Sequence, residues 1–203
     1  MTEDDAEPHP EPTLAALSEL RAGAVIAAAT DTVWGLLCDP ANAAAVERVY
    51  TLKRRPPGLE LTLLAAAAAD LDGLVRFTAV AQRLASELWP GPLSLVLPLG
   101  RRRLTVPRSG STLSVRVPGH PGLLRLLRES GPLASTSANR HGDPPATSAA
   151  AVREQFGTEI AIVLDSGHPL GMASTIIDCS VTPPRVLRDG PIDSHRLASF
   201  VQG

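Results

Sequence analysis

The sequence predicts one α/β domain, built on a twisted, open sheet of parallel and antiparallel strands flanked by helices. Short apolar runs typical of buried strands alternate loosely with longer segments whose apolar residues recur at helical spacing. Two strand-like runs, residues 93–97 and 113–117, follow each other without an intervening helix, which argues for a mixed sheet rather than a purely parallel one. The chain has 203 residues, enough for one large domain with a substantial core.

The beginning of the chain differs from the rest in composition. Residues 1–12 are rich in acids and prolines and poor in apolar side chains, so they cannot bury enough surface to fold. We therefore expect a disordered acidic tail over residues 1–12 and a single domain over residues 13–203.

Each predicted helix begins at a residue suited to a first helical turn. The pattern is clearest after Thr13, where Leu14, Leu17 and Leu20 recur at helical spacing before Gly23. A short helix near residues 194–201 is expected to close the chain. The predicted starting residues are Thr13, Asn42, Thr78, His120 and Thr147.

The predicted strands are short apolar or alternating segments. Residues 24–29 are continuously apolar, which predicts a strand covered on both faces. In residues 113–117, polar Ser114 and Arg116 alternate with apolar neighbours, so Arg116 is expected on the face opposite the core. A further apolar run, residues 131–134, leads into Ser135. The predicted strands are residues 24–29, 59–65, 93–97, 113–117, 160–164, 174–178 and 185–188.

Composition and charge exclude several classes of protein. The formal net charge of −2 gives no overall electrostatic case for binding nucleic acid or a membrane surface. Cys38 and Cys179 have neither metal-binding nor disulfide spacing, as expected in a reducing compartment. The sequence has no apolar run of membrane-spanning length and no secretory leader, so we expect a cytoplasmic protein without a membrane partner.

Hydroxyl and cationic side chains gather where predicted strands and helices end. Thr30-Asp31-Thr32 directly follows the first strand, Lys53-Arg54-Arg55 ends a helix, and Ser135-Thr136-Ser137-Ala138-Asn139 follows an apolar run. Open α/β sheets bind ligands at such strand ends, which predicts a pocket for a polar, anionic ligand. Taken singly, each stretch has an ordinary alternative: hydroxyls can bond their own backbone, and a basic last turn can interact with the helix dipole.

The sequence contains none of the glycine-rich phosphate-binding motifs and no histidine spacing typical of a metal site. A nucleotide would therefore have to be held by lysine, arginine and hydroxyl groups from distant segments. Arg116 adds to this expectation, because an arginine within a strand is rarely buried without an anion.

Seven stretches, in their order along the chain, resemble the motifs of the YrdC/TsaC family. Each is weak alone, but the ordered set covers nearly everything after the acidic tail. The stretches are Thr30-Asp31-Thr32-Val33-Trp34-Gly35-Leu36, Lys53-Arg54-Arg55-Pro56, Trp89-Pro90-Gly91-Pro92-Leu93-Ser94-Leu95-Val96-Leu97, Val115-Arg116-Val117-Pro118, Ser137-Ala138-Asn139, Ser174-Thr175-Ile176-Ile177-Asp178 and Leu187-Arg188-Asp189-Gly190.

The resemblance implies a fold around a large cationic cavity and the activity of an L-threonylcarbamoyladenylate synthase. Such a nucleotidyltransferase forms threonylcarbamoyl-AMP and pyrophosphate from L-threonine, bicarbonate and ATP, for the N6-threonylcarbamoyladenosine modification of tRNA. It further implies Mg²⁺ bound with ATP, mainly through phosphates, and no metal site built from protein side chains. Downstream threonylcarbamoyl-transfer proteins are implied as partners, and weak tRNA binding is compatible with the family.

The resemblance also assigns roles to individual residues. Lys53 and Arg55 match catalytic positions. Positions that match nucleotide contacts are Arg55, Thr112, Ser137, Asn139 and Arg188. Positions that match threonine contacts are Thr32, Arg116, Ser135 and Ser174.

The chain also departs from the family pattern. Leu59-Glu60-Leu61 stands where the family has Asn-Pro-Leu, and Leu64 where it has a histidine, so one contact to ATP and one to threonine are expected to be lost. Pro145-Ala146-Thr147 replaces Ser-Pro-Thr, and Ala173 replaces a glutamate.

These departures leave two alternatives open. In the first, the strand is offset by one residue, so that Glu60 and Thr62 face the ligands and the leucines belong to the core. In the second, the chain as a whole is a YciO-like paralogue that binds a nucleotide or RNA with weak or no synthase activity.

Overall fold

The computed structural model describes residues 10–54, 61–102, 110–165, 167–193, 196–197 and 200, and for residues 10–12 only the backbone. Within these ranges the α-helices, numbered α1 to α5, are Pro10–Arg21, Ala43–Lys53, Ala79–Leu88, Pro121–Ser130 and Ala149–Phe156. The strands, numbered β1 to β9, are Ile26–Ala29, Trp34–Cys38, Thr62–Leu64, Leu93–Pro98, Thr112–Arg116, Leu133–Ser137, Val163–Leu164, Thr175–Asp178 and Arg185–Arg188. Two short 3-10 helices are Ala68–Leu71 and Gly157–Glu159.

The described strands form one sheet in the order β7-β1-β2-β6-β3-β5-β4-β8-β9. Neighbours pair antiparallel at β1–β2, β2–β6, β3–β6, β4–β5 and β8–β9. They pair parallel at β1–β7, β3–β5 and β4–β8. The predicted mixed, open α/β sheet is therefore confirmed.

Three of the predicted helix starts are confirmed by their cap hydrogen bonds. The side-chain oxygen of Asn42 accepts from the amide of Ala45 at 3.1 Å, and that of Thr78 accepts from Ala81 at 3.2 Å. At α4, Nδ1 of His120 accepts from the backbone amide of Leu123 at 3.1 Å. Each bond satisfies one of the amides that a first helical turn leaves without an intrahelical partner.

Two predicted helix starts are wrong. Helix α1 begins at Pro10, so Thr13 lies inside it and the helix extends into the predicted tail, of which residues 1–9 lie outside the described residues. Proline suits a first helical position because it has no amide hydrogen to leave unbonded. Of the three leucines at helical spacing, Leu17 and Leu20 are buried, whereas Leu14 is 65% exposed. At α5 the cap is Ser148 rather than Thr147, since either hydroxyl could serve and only the fold selects between them.

The strands differ from the prediction mainly around the predicted pocket. Strand β2 was not predicted, and β6 continues through Ser137, although the apolar run ends at Ala134. Both segments are held by neighbours distant in sequence, because β2 pairs with β6 at Leu36↔Thr136 and Leu37↔Ser135. The predicted terminal helix at residues 194–201 lies largely outside the described residues.

Helices cover both faces of the β1–β2–β6 half of the sheet. Val49 of α2 and Phe156 of α5 pack in one apolar cluster with Leu36 of β2. Leu20 of α1 and Leu126 of α4 lie in another, which contains the next residue of β2, Leu37. Because successive strand residues point to opposite faces, these clusters lie on opposite sides of the sheet.

The other half of the sheet combines an apolar face with a polar one. Leu63, Leu95 and Val115 pack with Leu84 of α3 in a third cluster. The alternate residues on the same strands include polar side chains that line a cavity. This alternation turns hydroxyl and cationic groups of β3, β4, β5 and β9 toward the same space. None of the helices in the described ranges has the length and apolar character needed to cross a membrane.

Candidate active site

The cavity on the polar face of the sheet has a volume of about 410 Å³ and brings distant motifs together. Of the ten residues predicted for the site, eight contribute to its lining: Thr32, Lys53, Arg116, Ser135, Ser137, Asn139, Ser174 and Arg188. Thr112 is the first residue of β5 and is not among the lining residues. Arg55 lies outside the described residues.

Arg116, at the end of β5, is held from three directions. Its Nε donates to the backbone carbonyl of Gly91 at 3.0 Å, and its Nη1 donates to the hydroxyl oxygen of Thr32 at 2.8 Å. Its Nη2 forms an ion pair with Oδ1 of Asp31. The anion that the sequence predicted for a buried Arg116 is therefore supplied, at least in part, by Asp31. Three of the five guanidinium N–H groups are engaged by these partners, so two remain for a ligand.

Burial and the Asp31 carboxylate act in opposite directions on Arg116. Only 5% of the residue is exposed. Burial lowers the pKa of the guanidinium below its ordinary value, and the neighbouring carboxylate opposes that decrease. Because an arginine pKa begins so high, the side chain remains a cation at neutral pH.

A hydroxyl pair holds the loop that carries Thr32. The Thr30 hydroxyl donates to the backbone carbonyl of Val33 at 2.7 Å, and its oxygen lies 3.0 Å from the Thr32 hydroxyl oxygen. Since Thr30 has only one hydroxyl hydrogen, Thr32 must be the donor in that pair. Thr32 Oγ1 also accepts from Arg116, which leaves one lone pair with which it can accept a hydrogen bond from a ligand.

Lys53, the last residue of α2, is buried and binds the loop after β6. Its Nζ donates to the backbone carbonyl of Ser137 at 2.7 Å, and to the backbone and side-chain oxygens of Asn139 at 2.8 and 3.1 Å. The Ser137 hydroxyl donates to the same Asn139 side-chain oxygen at 2.5 Å. The Lys-Arg motif and the Ser-Ala-Asn motif are thus joined directly by the lysine.

Arg188 lies on the edge strand β9 and faces the cavity beside Ser174. Its Nε donates to the Ser174 carbonyl at 2.9 Å, and its Nη2 to the Ser174 hydroxyl oxygen at 3.1 Å. Ser94 extends the network, since its hydroxyl oxygen lies 2.8 Å from that of Ser174. Burial and then the positive charge of Arg116 lower the pKa of Arg188. An anion bound between these two arginines would relieve their repulsion.

On strand β3 the sequence left two alternatives, in which either Leu64 or Thr62 faces the ligands. In the structure both residues do. Thr62 and Leu64 both line the cavity, because residues two apart on a strand share a face. Thr62 therefore faces the ligand space, as the offset alternative expected, while Leu64 faces it as well. Leu64 is only 3% exposed and also packs in the cluster formed by α1 and α4. Leu59 and Glu60 lie outside the described residues.

Several lining residues had no role assigned from the sequence. Ser94 is the most informative. A single serine in the apolar run Leu93-Ser94-Leu95-Val96-Leu97 indicates that its side of the strand faces a polar environment. Others with polar side chains are Thr30, Thr136 and His141. Asp31 was part of a recognised stretch, but its partner Arg116 is 85 residues away.

Among the described residues, no three of the His, Cys, Asp and Glu side chains come together as a metal site would require.

Comparison with known proteins decides the family. The family model for Sua5, YciO and YrdC proteins, described as telomere recombination, matches residues 18–190. The chain belongs to this family.

Similar sequences and structures agree with that assignment. The threonylcarbamoyl-AMP synthase of Chromohalobacter salexigens is 40% identical over 166 residues, covering 80% of this chain and 90% of the relative. That of Laribacter hongkongensis is 40% identical over 176 residues, covering 86% and 94%.

Three solved structures of the family have closely similar folds. Sua5 of P. abyssi in complex with L-threonine has a TM-score of 0.85 at 35% identity, covering 92% of this chain and 56% of that one. Another structure of P. abyssi Sua5 has a TM-score of 0.90, and this chain spans 59% of its length. E. coli YciO has a TM-score of 0.85 at 25% identity, covering 96% and 95%.

Proposed function

We propose that this protein is an L-threonylcarbamoyladenylate synthase, which converts L-threonine, bicarbonate and ATP into threonylcarbamoyl-AMP and pyrophosphate. The observation that carries the proposal is that two arginines, Arg116 beside Thr32 and Arg188 beside Ser174, line one cavity. The curated relatives of the chain are named for this activity. Curated synthases at 40% identity favour this function over that of a YciO-like binding paralogue.

The threonine end of the site is proposed to lie at Arg116. Two N–H groups of its buried guanidinium have no partner among the described residues, and a carboxylate can accept from both. The remaining lone pair of Thr32 can accept from the substrate amine or hydroxyl. Ser135, on β6, and Ser174, just before β8, would supply further polar contacts.

The nucleotide end is proposed to lie between the Ser137–Asn139 loop and Arg188. Arg188 would neutralise phosphate charge, and Ser137 and Asn139 would contact the nucleotide. Lys53 would fix the geometry of that loop through its three hydrogen bonds. Arg55 and Thr112 remain proposed nucleotide contacts through their match to the family motifs, and Arg55 would contribute further positive charge.

The proposed chemistry needs no protein nucleophile. The threonine amine adds to bicarbonate, with loss of water, to give a carbamate. A carbamate oxygen then forms a bond to the α-phosphorus of ATP while the bond from that phosphorus to the bridging oxygen breaks, and pyrophosphate leaves with the electron pair. The protein mainly holds three reactants together, each of which carries an anionic group, and stabilises the charge that develops on the phosphates.

Mg²⁺ is proposed to enter with ATP. The oxygen-rich phosphates are the ligands that Mg²⁺ prefers, and it commonly needs only one or two protein groups besides them. The donor set of the cavity fits such a role, since hydroxyl and carbonyl oxygens line it. When bound, the ion would neutralise phosphate charge.

The product has a reactive mixed anhydride linkage, so a transfer reaction must consume it promptly. We propose that downstream threonylcarbamoyl-transfer proteins act on tRNA in that step, in the cytoplasm, with at most weak direct tRNA binding by this chain. The negative net charge of the chain is consistent with weak rather than strong RNA binding.

The test is pyrophosphate release from ATP by the purified chain with Mg²⁺, measured with and without threonine and bicarbonate. We expect release that requires both, together with a labile adenylate. Release that ignores threonine, or no release, would contradict the proposal. Arg116→Ala should lose most of the threonine-dependent pyrophosphate release, whereas Glu87→Gln, on the exposed part of α3, should behave as the wild type.

A further inference from the structure

Asp31 lies behind Arg116 rather than in the cavity. Thr30 and Thr32 on either side of it line the cavity, but Asp31 does not. Its backbone carbonyl accepts from Leu170 at 3.2 Å, and that of Thr32 accepts from Gly171 at 2.8 Å. These bonds attach the Asp31-Thr32 segment to the loop before β8. The carboxylate is therefore fixed against the inner side of the guanidinium.

Little besides Arg116 balances the charge of this carboxylate. Oδ1 pairs with Arg116, whereas Oδ2 is buried and has no hydrogen-bond partner among the described residues. Oδ2 lies close to backbone, since a Cβ added at Gly119 would be 3.2 Å from it. The side chains of Asp31 and Arg116 are 14% and 6% exposed, respectively. At such burial the interaction of either charge with a ligand is only weakly screened by solvent.

The pair changes the charge that a substrate meets. Arg116 alone would present a full positive charge, which favours any carboxylate. With Asp31 behind it the pair is neutral overall, so a simple carboxylate adds a negative charge that this pair does not compensate, while the charge of Arg188 is proposed to serve the phosphates. An amino acid zwitterion carries its own ammonium group and keeps the total near zero.

We infer that Asp31 is a specificity-determining residue, which makes the threonine site select zwitterionic amino acids over carboxylic acids that lack the amine. The inference rests on the proposed function, because it concerns the same threonine site. It gives the chain a means of rejecting hydroxy acids that match threonine in shape but have no nitrogen with which to form the carbamate.

The test compares two ligands on two proteins by calorimetry. The ligands are L-threonine and (R)-3-hydroxybutyrate, which is threonine without its amine. The proteins are the wild type and Asp31→Asn, in which an oxygen can still accept from Arg116 but the charge is absent. We expect the wild type to prefer threonine by about 100-fold or more and Asp31→Asn by about tenfold or less, mainly through stronger binding of the hydroxy acid.

The outcomes separate this inference from the proposed function. If Asp31→Asn lowers the affinity for both ligands by the same factor, then Asp31 only supports Arg116, and the inference would be overturned. Equal binding of both ligands by the wild type would overturn it without any variant. Failure of the wild type to bind threonine at all would overturn the proposed function and the inference together. Glu87→Gln, which removes an exposed negative charge on α3, should leave the ratio unchanged.

Discussion

Lys53 binds Asn139 through two hydrogen bonds from one ammonium group, across 86 residues of sequence. The lysine is only 3% exposed. Its ammonium donates to the carbonyl of Ser137, the last residue of β6, and to the backbone and side-chain oxygens of Asn139 in the loop that follows. The loop therefore acquires a fixed shape and a buried positive charge from the same side chain, which suits a site for phosphate.

Replacing this lysine should therefore destabilise the fold as well as the site. Lys53→Met would remove the ammonium from three acceptors, of which the Ser137 carbonyl and the Asn139 side-chain oxygen keep one other donor each. We expect the free energy of unfolding to fall by about 1.5 to 3 kcal/mol, the range for hydrogen bonds to a charged group. Urea unfolding measures this. Arg48→Met, on the same helix, removes only an exposed ion pair with Glu159 and should cost at most about 1 kcal/mol. Equal effects of the two substitutions would contradict a clamping role for Lys53.

Arg116 is expected to control threonine binding. If its two remaining N–H groups bind the substrate carboxylate, Arg116→Ala should lose about 2 to 5 kcal/mol of threonine binding while ATP binding changes little. Arg116→Lys should recover only part of the loss, because an ammonium cannot reproduce the two parallel hydrogen bonds. Calorimetry on folded protein measures both affinities. Unchanged threonine affinity in Arg116→Ala would show that the carboxylate binds elsewhere.

The sequence predicted the cavity residues better than it predicted their contacts. The alternation of polar and apolar residues around Arg116 was sufficient to place its side chain on the face of the sheet away from Leu113 and Val115, because which face a strand residue occupies depends only on its neighbours in sequence. Its ion pair with Asp31 was not predictable, because the pairing depends on how β5 lies relative to the loop after β1. The same holds for Ser94 and Ser174, whose contact follows from the parallel pairing of β4 with β8.

The predicted end of the apolar run before Ser135 did not match the end of strand β6, because tertiary contacts override the local preference of the sequence. Strand β6 continues through Ser135, Thr136 and Ser137, residues that favour turns in isolation. Pairing with β2 on one side and β3 on the other supplies their backbone hydrogen bonds. The hydroxyl groups expected on a loop are thus presented by a strand, which holds them more rigidly.

Arg188 is expected to act at the opposite end of the cavity. Arg188→Gln removes a cation near the proposed phosphates, and the loss of one charged hydrogen bond should weaken ATP binding by about tenfold or more. Threonine binding should change less, since Arg116 and Thr32 remain. Arg185→Gln is a suitable control, because Arg185 lies on the same strand but pairs with Asp178. Equal losses of ATP binding in the two variants would contradict a direct role for Arg188.

The two cysteines should make stability depend on alkaline pH. Burial raises the pKa of Cys38 and Cys179 from an ordinary value of 9.0 to about 12, with neighbouring aspartates adding to the effect. Unfolded thiols therefore lose protons first, and the free energy of unfolding should fall between pH 9 and pH 12. Urea unfolding across that range measures the slope, which should be smaller in a Cys38→Ala, Cys179→Ala variant. An identical slope in that variant would assign the effect to other groups.

Leu64 provides the sharpest test of the departures from the family pattern. It lines the cavity, so Leu64→His should place a polar ring where the family has one, and one new hydrogen bond to threonine would strengthen its binding by about tenfold. Some stability should be lost with the apolar contacts of the leucine. Leu133→His is the matched control, because Leu133 pairs with Leu64 across the sheet and lies in the same cluster but outside the cavity lining. It should lower the melting temperature without any gain in affinity, since it buries an unpaired polar group. If Leu64→His behaves in the same way as this control, then Leu64 serves the core and its replacement of histidine has cost the site no contact.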